Sequence, residues 1–483
     1  MLLKLLQLQS QKYFFAISFF LGIFLSLGFD PFNIPFLSLL VIGLLFKLNN
    51  QFYLKYSNSY KGFFLTGLAF GFGFFISSTY WISNALFVYG GNIKYFLPFS
   101  IILLPLTLGV FYGIMQIFNC YFWSNSNAKI FYFTTSWVIF EILRSHIFTG
   151  LPWNLICYSW SWSPHFIQSL SILGPYGLGI ISVLCSCLIF SFRFKILDSI
   201  ISISGILILV LVYLYGFERI ENYKETYSSN IDVRIIGTNI NQKDKWLEST
   251  RSIVNEMHSE NNLTIIPETM AGLKKFKGDN LLQGYLRKEG SKYYNSIAYK
   301  GFTYDKKHLV PFGEFIPFSN FIDKTFLSNY FDTTSLSKGE NKDFPSIIVP
   351  LICYEGIFPH IVGSNRKTGA RLLVNITNDS WFGENTGPKQ HFTHVRFRAI
   401  EEGLPLVRSS NMGFSGLVSP LGKVLNQVAT KSNSYVDVKI PNGVETIYSK
   451  YRIKIIYFLI VLLLIIGYFT ETLFLKKIKY YEQ

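Results

Sequence analysis

The chain alternates between long apolar runs, which lie in its first and last parts, and one extended polar segment (residues 218–451) between them. A helix that crosses a membrane needs about 20 mostly apolar residues. The hydrophobic pattern predicts eight such helices, at Tyr13–Phe29, Ile34–Phe46, Gly62–Trp81, Phe96–Phe118, Ile130–Ile147, Ile167–Phe190, Ile196–Phe217 and Ile455–Leu475. We therefore expect a seven-helix membrane domain over residues 1–217 and a C-terminal transmembrane helix over residues 452–476.

Within the polar segment, strand-like apolar runs alternate with stretches of helical spacing. The predicted strands are Ile231–Gly237, Leu263–Pro267, Ser296–Tyr299, Ser346–Cys353, Arg371–Ile376, Leu406–Arg408 and Gly416–Ser419. Helices are predicted at Lys243–His258 and His391–Glu402. This mixture is typical of an α/β or α+β domain, which we place at residues 230–447.

The distribution of lysine and arginine in the short loops predicts the orientation in the membrane. Basic residues cluster on one side, at Lys4, Lys12, Lys47, Lys55, Lys61, Lys129, Arg193, Lys195, Lys476, Lys477 and Lys479. The loops on the other side, near Asp30 and between Gly90 and Tyr95, carry little positive charge. Because basic loops stay in the cytoplasm, both termini are predicted to be cytoplasmic and the polar domain to lie outside. No small-residue cleavage site follows the first run, so it is expected to be a retained helix.

Composition agrees with a membrane protein and argues against nucleic-acid binding. Half of the residues are hydrophobic and only 15% are charged, which is far from the balance of a soluble protein. The net charge of +15 is spread over the ends of apolar runs and forms no compact basic stripe with interleaved aromatic residues.

Two charged residues lie inside a predicted membrane helix, where they are costly. Glu141 and Arg144 are three residues apart and share a helix face. The sequence leaves open whether they orient the helix or contact a ligand.

Three residues of the polar segment form a candidate catalytic set. Glu268 follows the strand-like LTIIP, Lys306 opens KKHLVPFGE, and Cys353 ends IIVPLIC before a Tyr-Glu-Gly turn. A thiol is mostly protonated at neutral pH, so it needs a base and a nearby cation to act as a nucleophile. Glu268 as base, Lys306 as electrostatic stabiliser and Cys353 as nucleophile meet those needs. Taken singly, Cys353 could be a core thiol, and Glu268 and Lys306 could be solvated charges.

The surrounding motifs resemble a known family. LTIIPE, KKHLVPFGEFIPF, ICYEGIFP and NITNDSWFG are similar to the nitrilase superfamily, and specifically to its membrane-bound branch, the apolipoprotein N-acyltransferases. EILRSHIFTGLPW and GPYGLGIIS in the membrane part, IIGTNINQKDKW, and the stretch from GPKQHF to SSNMGFSG extend the resemblance over nearly the whole chain. The stretch between Glu268 and Lys306 is short for the family.

The resemblance implies a fold and a set of site residues. The fold is a periplasmic αββα sandwich on eight transmembrane helices of the bacterial inner membrane. The family's catalytic residues fall on Glu268, Lys306 and Cys353. Supporting or substrate-binding positions fall on Glu314, Tyr354, Glu355 and Trp381. The alternatives are a loop carboxylate that fixes Lys306 for Glu314, and a packed core aromatic for Trp381. Lys307 adjoins Lys306, so a register shift of one residue also remains open.

The resemblance implies N-acyl transfer through a thioester on Cys353, from a membrane phospholipid to the α-amine of a diacylglyceryl-cysteine apolipoprotein. Such chemistry requires no metal or soluble cofactor, and we expect a monomer. The alternatives are a membrane-tethered amidase that hydrolyses small C–N substrates, and a transporter or receptor whose outer domain only binds a ligand.

Overall fold

The computed structural model describes residues 10–192, 196–227, 232–317, 335–340, 343–429 and 431–482. The chain forms two compact units. One comprises Met1–Tyr80, Pro98–Glu221 and Lys450–Gln483, and the other comprises Trp81–Leu97 and Asn222–Ser449. Lys4, Arg193, Lys195, Ile231 and the predicted boundary at residue 230 lie outside the described residues.

The first unit is helical. Numbered along the whole chain, in which α4 and α9–α12 belong to the second unit, its helices are α1 (Gln11–Ser26), α2 (Leu37–Tyr56), α3 (Tyr60–Ser78), α5 (Leu104–Phe122), α6 (Ala128–Arg144), α7 (Leu170–Phe190), α8 (Ile196–Glu221) and α13 (Ile453–Glu482). A helix therefore occupies each of the eight predicted positions. Among the described residues, six helical segments are long and apolar enough to cross a membrane, at Leu37–Tyr56, Tyr60–Ser78, Lys94–Phe122, Phe166–Phe190, Ser199–Glu221 and Ile453–Lys477. α1, with 16 residues, and α6, with 17, are shorter, so the count of eight spans stays a prediction.

Helix α2 continues ten residues past the predicted end at Phe46, to Tyr56. Polar residues made that end appear likely from the sequence, but they find partners inside the unit. Asn49 Nδ2 donates to Gln116 Oε1 over 3.1 Å, and Asn50 Oδ1 accepts from Lys129 Nζ over 2.7 Å. Since each buried amide has a partner, the helix tolerates them.

Glu141 and Arg144 of α6 are both buried and hold the loop that follows the helix. The Glu141 carboxylate accepts from the Ile156 amide (2.9 Å), and Arg144 Nη1 donates to the carbonyls of Leu151 (2.6 Å) and Trp153 (2.8 Å). These contacts favour the helix-orienting interpretation of the two charges.

The second unit contains the polar domain. Its helices are α4 (Asn84–Tyr89), α9 (Glu248–Glu256), α10 (Pro359–Asn365), α11 (Thr386–Glu402) and α12 (Ile447–Tyr451). Its strands are β1 (Asp232–Gly237), β2 (Leu263–Ile266), β3 (Leu281–Glu289), β4 (Lys292–Tyr299), β5 (Phe302–Asp305), β6 (Ile348–Ile352), β7 (Leu372–Asn378), β8 (Leu406–Asn411), β9 (Gly416–Val418), β10 (Val424–Gln427) and β11 (Ser434–Lys439). Within the described residues they form two sheets, in the orders β11-β1-β2-β3-β4-β5 and β10-β9-β8-β7-β6.

The two sheets face each other and carry helices on their outer faces. Ser409 of β8 donates to the carbonyls of Ile236 (2.6 Å) and Ile265 (3.1 Å) in the opposite sheet. Val254 of α9 packs on the outer side of the first sheet, and Val395 of α11 packs on that of the second. The layers are therefore α, β, β and α, as expected for a nitrilase-like domain.

All seven predicted strands are present with shifted ends, but β3, β5, β10 and β11 were missed. Strand β3 is buried in its first half and exposed in its charged second half, so it shows no alternation. Strands β10 and β11 are largely exposed and carry few apolar residues. The predicted helix at Lys243–His258 was wrong at its start, because residues 242–247 form turns and α9 begins at Glu248.

Candidate active site

The three predicted catalytic residues come together at the ends of strands. Glu268 lies two residues after β2, Lys306 directly follows β5, and Cys353 directly follows β6. All three side chains are buried. Lys306 Nζ lies 3.9 Å from Glu268 Oε1, so a carboxylate and an ammonium share a site closed to water.

Glu314 and Asn295 hold the acidic and basic groups in place. The Lys306 ammonium contacts both oxygens of Glu314, at 2.8 Å each. The amide of Asn295 donates to Glu268 Oε1 (2.6 Å) and to Glu314 Oε1 (3.0 Å), and the Val310 amide donates to Glu314 Oε2 (2.9 Å). Glu314 is thus placed to fix Lys306, as in the first alternative considered for it.

Lys306 and its neighbour Lys307 point to different surroundings. Lys307 Nζ donates to the Asn365 side chain over 3.0 Å and is only half-buried. The ammonium between the two carboxylates is that of Lys306, so the geometry favours the original register over a shift of one residue.

Cys353 stands at a sharp turn. The strand ends at Ile352, one residue earlier than predicted, and Cys353 adopts a left-handed backbone with φ of 49°. A 3₁₀ turn over Cys353–Ile357 follows, and α10 begins at Pro359. A non-glycine residue holds this conformation only where its surroundings enforce it. Here the Asn375 amide lies 3.4 Å from the Cys353 carbonyl oxygen, and His391 Nε2 lies 3.3 Å from it.

The electrostatics of the site require a base for the thiol. Burial raises the pKa of Cys353 to about 12; Glu268 and Asp379 raise it further, and Lys306 opposes them. Burial also raises the pKa of Glu268, against the opposing pull of Lys306. Burial would lower the pKa of Lys306, but Glu314 and Glu268 hold it above its usual range, so this residue stays cationic. A thiol with so high a pKa reacts only when a neighbouring group takes its proton.

A second charged network lies behind the cysteine. Asp379 Oδ1 is 2.8 Å from His391 Nδ1, and Asp379 Oδ2 accepts from Arg408 over 2.8 Å. Burial alone would raise the pKa of Asp379, but Arg408 and His391 hold it well below its usual range. The Thr377 hydroxyl connects this network to the thiol, because it contacts both Asp379 and Cys353.

Of the remaining predicted positions, Glu355 is the most deeply embedded. Its carboxylate accepts from the Tyr304 hydroxyl (2.9 Å) and from the amides of Lys307 (2.7 Å) and Ile352 (2.9 Å). It therefore ties the end of β5 to the end of β6, and so Lys306 to Cys353.

Tyr354 and Trp381 are aromatic neighbours of the charged cluster rather than members of it. Tyr354 is buried and stacks on the His308 ring, with centroids 5.8 Å apart. Trp381 lies in the turn Asp379–Phe382, with its indole nitrogen 3.2 Å from the side-chain amide of Asn378.

Sequence reasoning missed several residues of the site. Asn295, Asp379, His391 and Arg408 all belong to motifs that carried the resemblance or to predicted strands, but no role was assigned to them. Lys245 was likewise overlooked. A signal was present in the buried charges and amides of NITNDSWFG and GPKQHF, but their partners are distant in sequence.

Comparison with known proteins identifies the family. A family model described as the apolipoprotein N-acyltransferase N-terminal domain matches residues 21–188, and a carbon-nitrogen hydrolase model matches residues 245–448. The apolipoprotein N-acyltransferase of Rickettsia bellii (strain RML369-C) is 33% identical over 444 residues, which are 84% of this chain and 88% of that protein. The chain belongs to the apolipoprotein N-acyltransferase family.

Other members of the family show the same extent of similarity. The apolipoprotein N-acyltransferase of Rickettsia typhi (strain ATCC VR-144 / Wilmington) is 34% identical, over 95% of this chain and 98% of that protein. That of Allorhizobium ampelinum is 31% identical, over 77% and 78%. The chain is thus an inner-membrane acyltransferase that carries a carbon-nitrogen hydrolase domain, the fold of a cysteine nucleophile.

Solved structures of soluble relatives match the carbon-nitrogen hydrolase part. The amidase of Nesterenkonia sp. AN1, with acetamide added covalently at its active-site cysteine, is 14% identical over 49% of this chain and 98% of that chain, with a TM-score of 0.34. A carbon-nitrogen hydrolase from Helicobacter pylori G27 is 14% identical over 47% and 94%, with a TM-score of 0.29.

Proposed function

We propose that this apolipoprotein N-acyltransferase family member moves a fatty acyl chain from a membrane phospholipid to the α-amine of the diacylglyceryl-cysteine of apolipoproteins. The observation that carries the proposal is the site itself. A buried thiol, a buried carboxylate and an ion-paired lysine converge at the strand ends of a domain that belongs to an acyltransferase chain.

In the first step, Cys353 Sγ attacks the ester carbonyl of the phospholipid and Glu268 accepts the thiol proton. Lys306, held by Glu314, stabilises the negative charge that develops on the carbonyl oxygen. The ester C–O bond then breaks, Glu268 returns the proton to the leaving oxygen, and a lysophospholipid departs. The acyl chain remains on Cys353 as a thioester.

In the second step, the α-amine of the apolipoprotein attacks the thioester carbonyl. Glu268 takes a proton from the amine, the C–N bond forms and the C–S bond breaks. The thiolate regains its proton from Glu268. The ping-pong order follows from the single nucleophile, which accepts the acyl group before it passes the group on.

The membrane arrangement follows from the same proposal. We place both termini in the cytoplasm, the catalytic domain (residues 230–447) on the periplasmic side, and the eight helices in two parts, residues 1–217 and 452–476. The basic loops support this orientation. An outer-leaflet lipid and an exported lipoprotein would then both reach Cys353.

The function is tested by reconstituting the purified chain with a phospholipid that carries an isotopically labelled acyl chain and a synthetic diacylglyceryl-cysteine peptide. The wild type is expected to yield a peptide with one labelled amide-linked chain, detected by mass spectrometry, and C353A none. C120A serves as a matched control, because Cys120 is a thiol of the helical unit. Release of free labelled fatty acid with no peptide product would instead indicate a hydrolase.

A further inference from the structure

A second lysine lies beside the catalytic carboxylate. Lys245 belongs to the loop between β1 and α9 and is only 1% exposed, although its neighbours Asp244 and Trp246 are exposed. Its Nζ donates to the hydroxyl of Thr269, the residue that follows Glu268. It also lies 3.3 Å from the side-chain amide of Asn378 at the end of β7. One ammonium thus bridges the strand ends that present the base and the loop near the nucleophile.

The charges of the site balance only if Lys245 is counted. Glu268 and Glu314 bring two carboxylates, whereas Lys306 brings one ammonium, which contacts both. An uncompensated carboxylate in so buried a site would take up a proton, because burial penalises its charged form. Lys245 interacts electrostatically with both Glu268 and Cys353 and supplies the second positive charge.

We propose that Lys245 is a positioning residue of the acyl-transfer site: its ammonium keeps Glu268 ionised and oriented as the base that deprotonates Cys353. Burial lowers the pKa of Lys245 to about 8, while Glu268 and Cys353 oppose that shift. The side chain therefore carries its proton at neutral pH. The groups that face Glu268 are then Lys245 on one side and Lys306, Glu314 and Asn295 on the other.

The role rests on the proposed function, but it is tested without acyl transfer. The rate of alkylation of Cys353 by iodoacetamide is measured against pH in the purified full chain, with C353A subtracted as background. Alkylation forms an S–C bond and releases iodide, and it depends on removal of the thiol proton. K245M and K245Q remove the charge, and either variant suffices if the other does not fold. We expect the alkylation rate at pH 7 to fall about tenfold and the pH midpoint to rise by about one unit.

Two further variants separate charge from structure. T269V removes the hydroxyl that accepts from Lys245 but keeps the ammonium, so the pH midpoint of alkylation should stay at the wild-type value. K243M removes an exposed lysine two residues away and should leave the whole profile unchanged. A folded K245M or K245Q with the wild-type profile, or a T269V midpoint that moves as far as theirs, would overturn the proposal. Altered alkylation together with no acyl transfer by the wild type would count against the proposed function only.

Discussion

At the scale of single residues, the site is organised around a thiol that cannot ionise unaided. Burial sets the pKa of Cys353 near 12, and the cation Lys306 only partly offsets this effect. A carboxylate whose own pKa is raised by burial is a better proton acceptor than an ordinary one, because its pKa lies closer to that of its partner. Burial thus makes the thiol and its base dependent on each other.

The substitution E268Q tests the base. Glutamine keeps the shape of the side chain but cannot accept the thiol proton, so we expect the acyl-transfer rate to fall by roughly 10²–10⁴-fold with the fold retained. The measurement is amide formation on the diacylglyceryl-cysteine peptide. E256Q, an exposed glutamate at the end of α9, is the matched control and should keep the wild-type rate. A normal rate in E268Q would remove Glu268 from the mechanism.

The same carboxylate predicts a pH dependence. Because the pKa of Glu268 is raised, the base is protonated and inactive below a pH that lies above the ordinary glutamate range. The acyl-transfer rate should therefore fall as pH decreases through that raised value. E314Q, which removes a neighbouring negative charge, should move this acidic limb to lower pH. An acidic limb that moves to higher pH in E314Q would contradict the electrostatic account.

At the scale of elements, the site depends on how closely strands approach one another. Gly284 of β3 lies against the backbone of the catalytic residue: a Cβ there would stand 2.7 Å from Glu268 Cα and 2.7 Å from the Pro267 carbonyl oxygen. No side chain fits in that space, so β3 sets the position of Glu268 through its lack of one.

We expect G284A to displace Glu268 and to lower the acyl-transfer rate by at least tenfold, since small misplacements of a catalytic group are costly. G301A, in an exposed turn of the same sheet with φ of 81°, is the control. It should lose about 1 kcal/mol of stability and keep its activity. Equal losses of activity in the two variants would show that sheet stability, and not the position of Glu268, is responsible.

The network behind β6, β7 and β8 predicts a difference in stability. D379N leaves Arg408 buried without its charge partner, which costs about 3–5 kcal/mol. D437N breaks a partly exposed pair with Arg234 and should cost at most about 1 kcal/mol. Thermal unfolding in detergent should show a clearly larger fall in midpoint for D379N.

The pH dependence of this contribution has a definite sign. The folded-state pKa of Asp379 is depressed, so its stabilisation is present above about pH 4 and is lost as pH falls towards that depressed value. D379N should therefore lose its disadvantage relative to the wild type in strong acid. Equal midpoints for D379N and D437N at pH 7 would contradict the account of the network.

The elements also show how far the sequence alone could lead. Apolar strands such as β6 and β7 were predicted because they are buried on both faces and appear as continuous hydrophobic runs. Strand β3 could not be found in this way, since half of it is charged and exposed. Glu268, Lys306 and Cys353 were found because each ends or follows a motif. Asn295 and Lys245 were not, because their partners come from other elements and a pattern along the chain does not reveal contacts between them.

At the scale of the whole molecule, the orientation in the membrane is the most exposed part of the proposal. The basic loops place Ser449, at the end of the catalytic domain, outside the cytoplasm and Gln483 inside. An alkaline phosphatase domain that folds only after export should be active when fused after Ser449 and inactive when fused after Gln483. The opposite pattern would invert the topology and remove the periplasmic lipid from reach of Cys353.

The central claim is that Cys353 carries the acyl chain between lipid and protein. The most direct test is to incubate the purified chain with the labelled phospholipid alone and to analyse the peptide that contains Cys353 by mass spectrometry. We predict one labelled acyl group on Cys353, removed by neutral hydroxylamine and transferred to the diacylglyceryl-cysteine peptide when it is added. An active enzyme whose Cys353 stays unmodified in the absence of acceptor, and whose amide product still forms in C353A, would contradict the account.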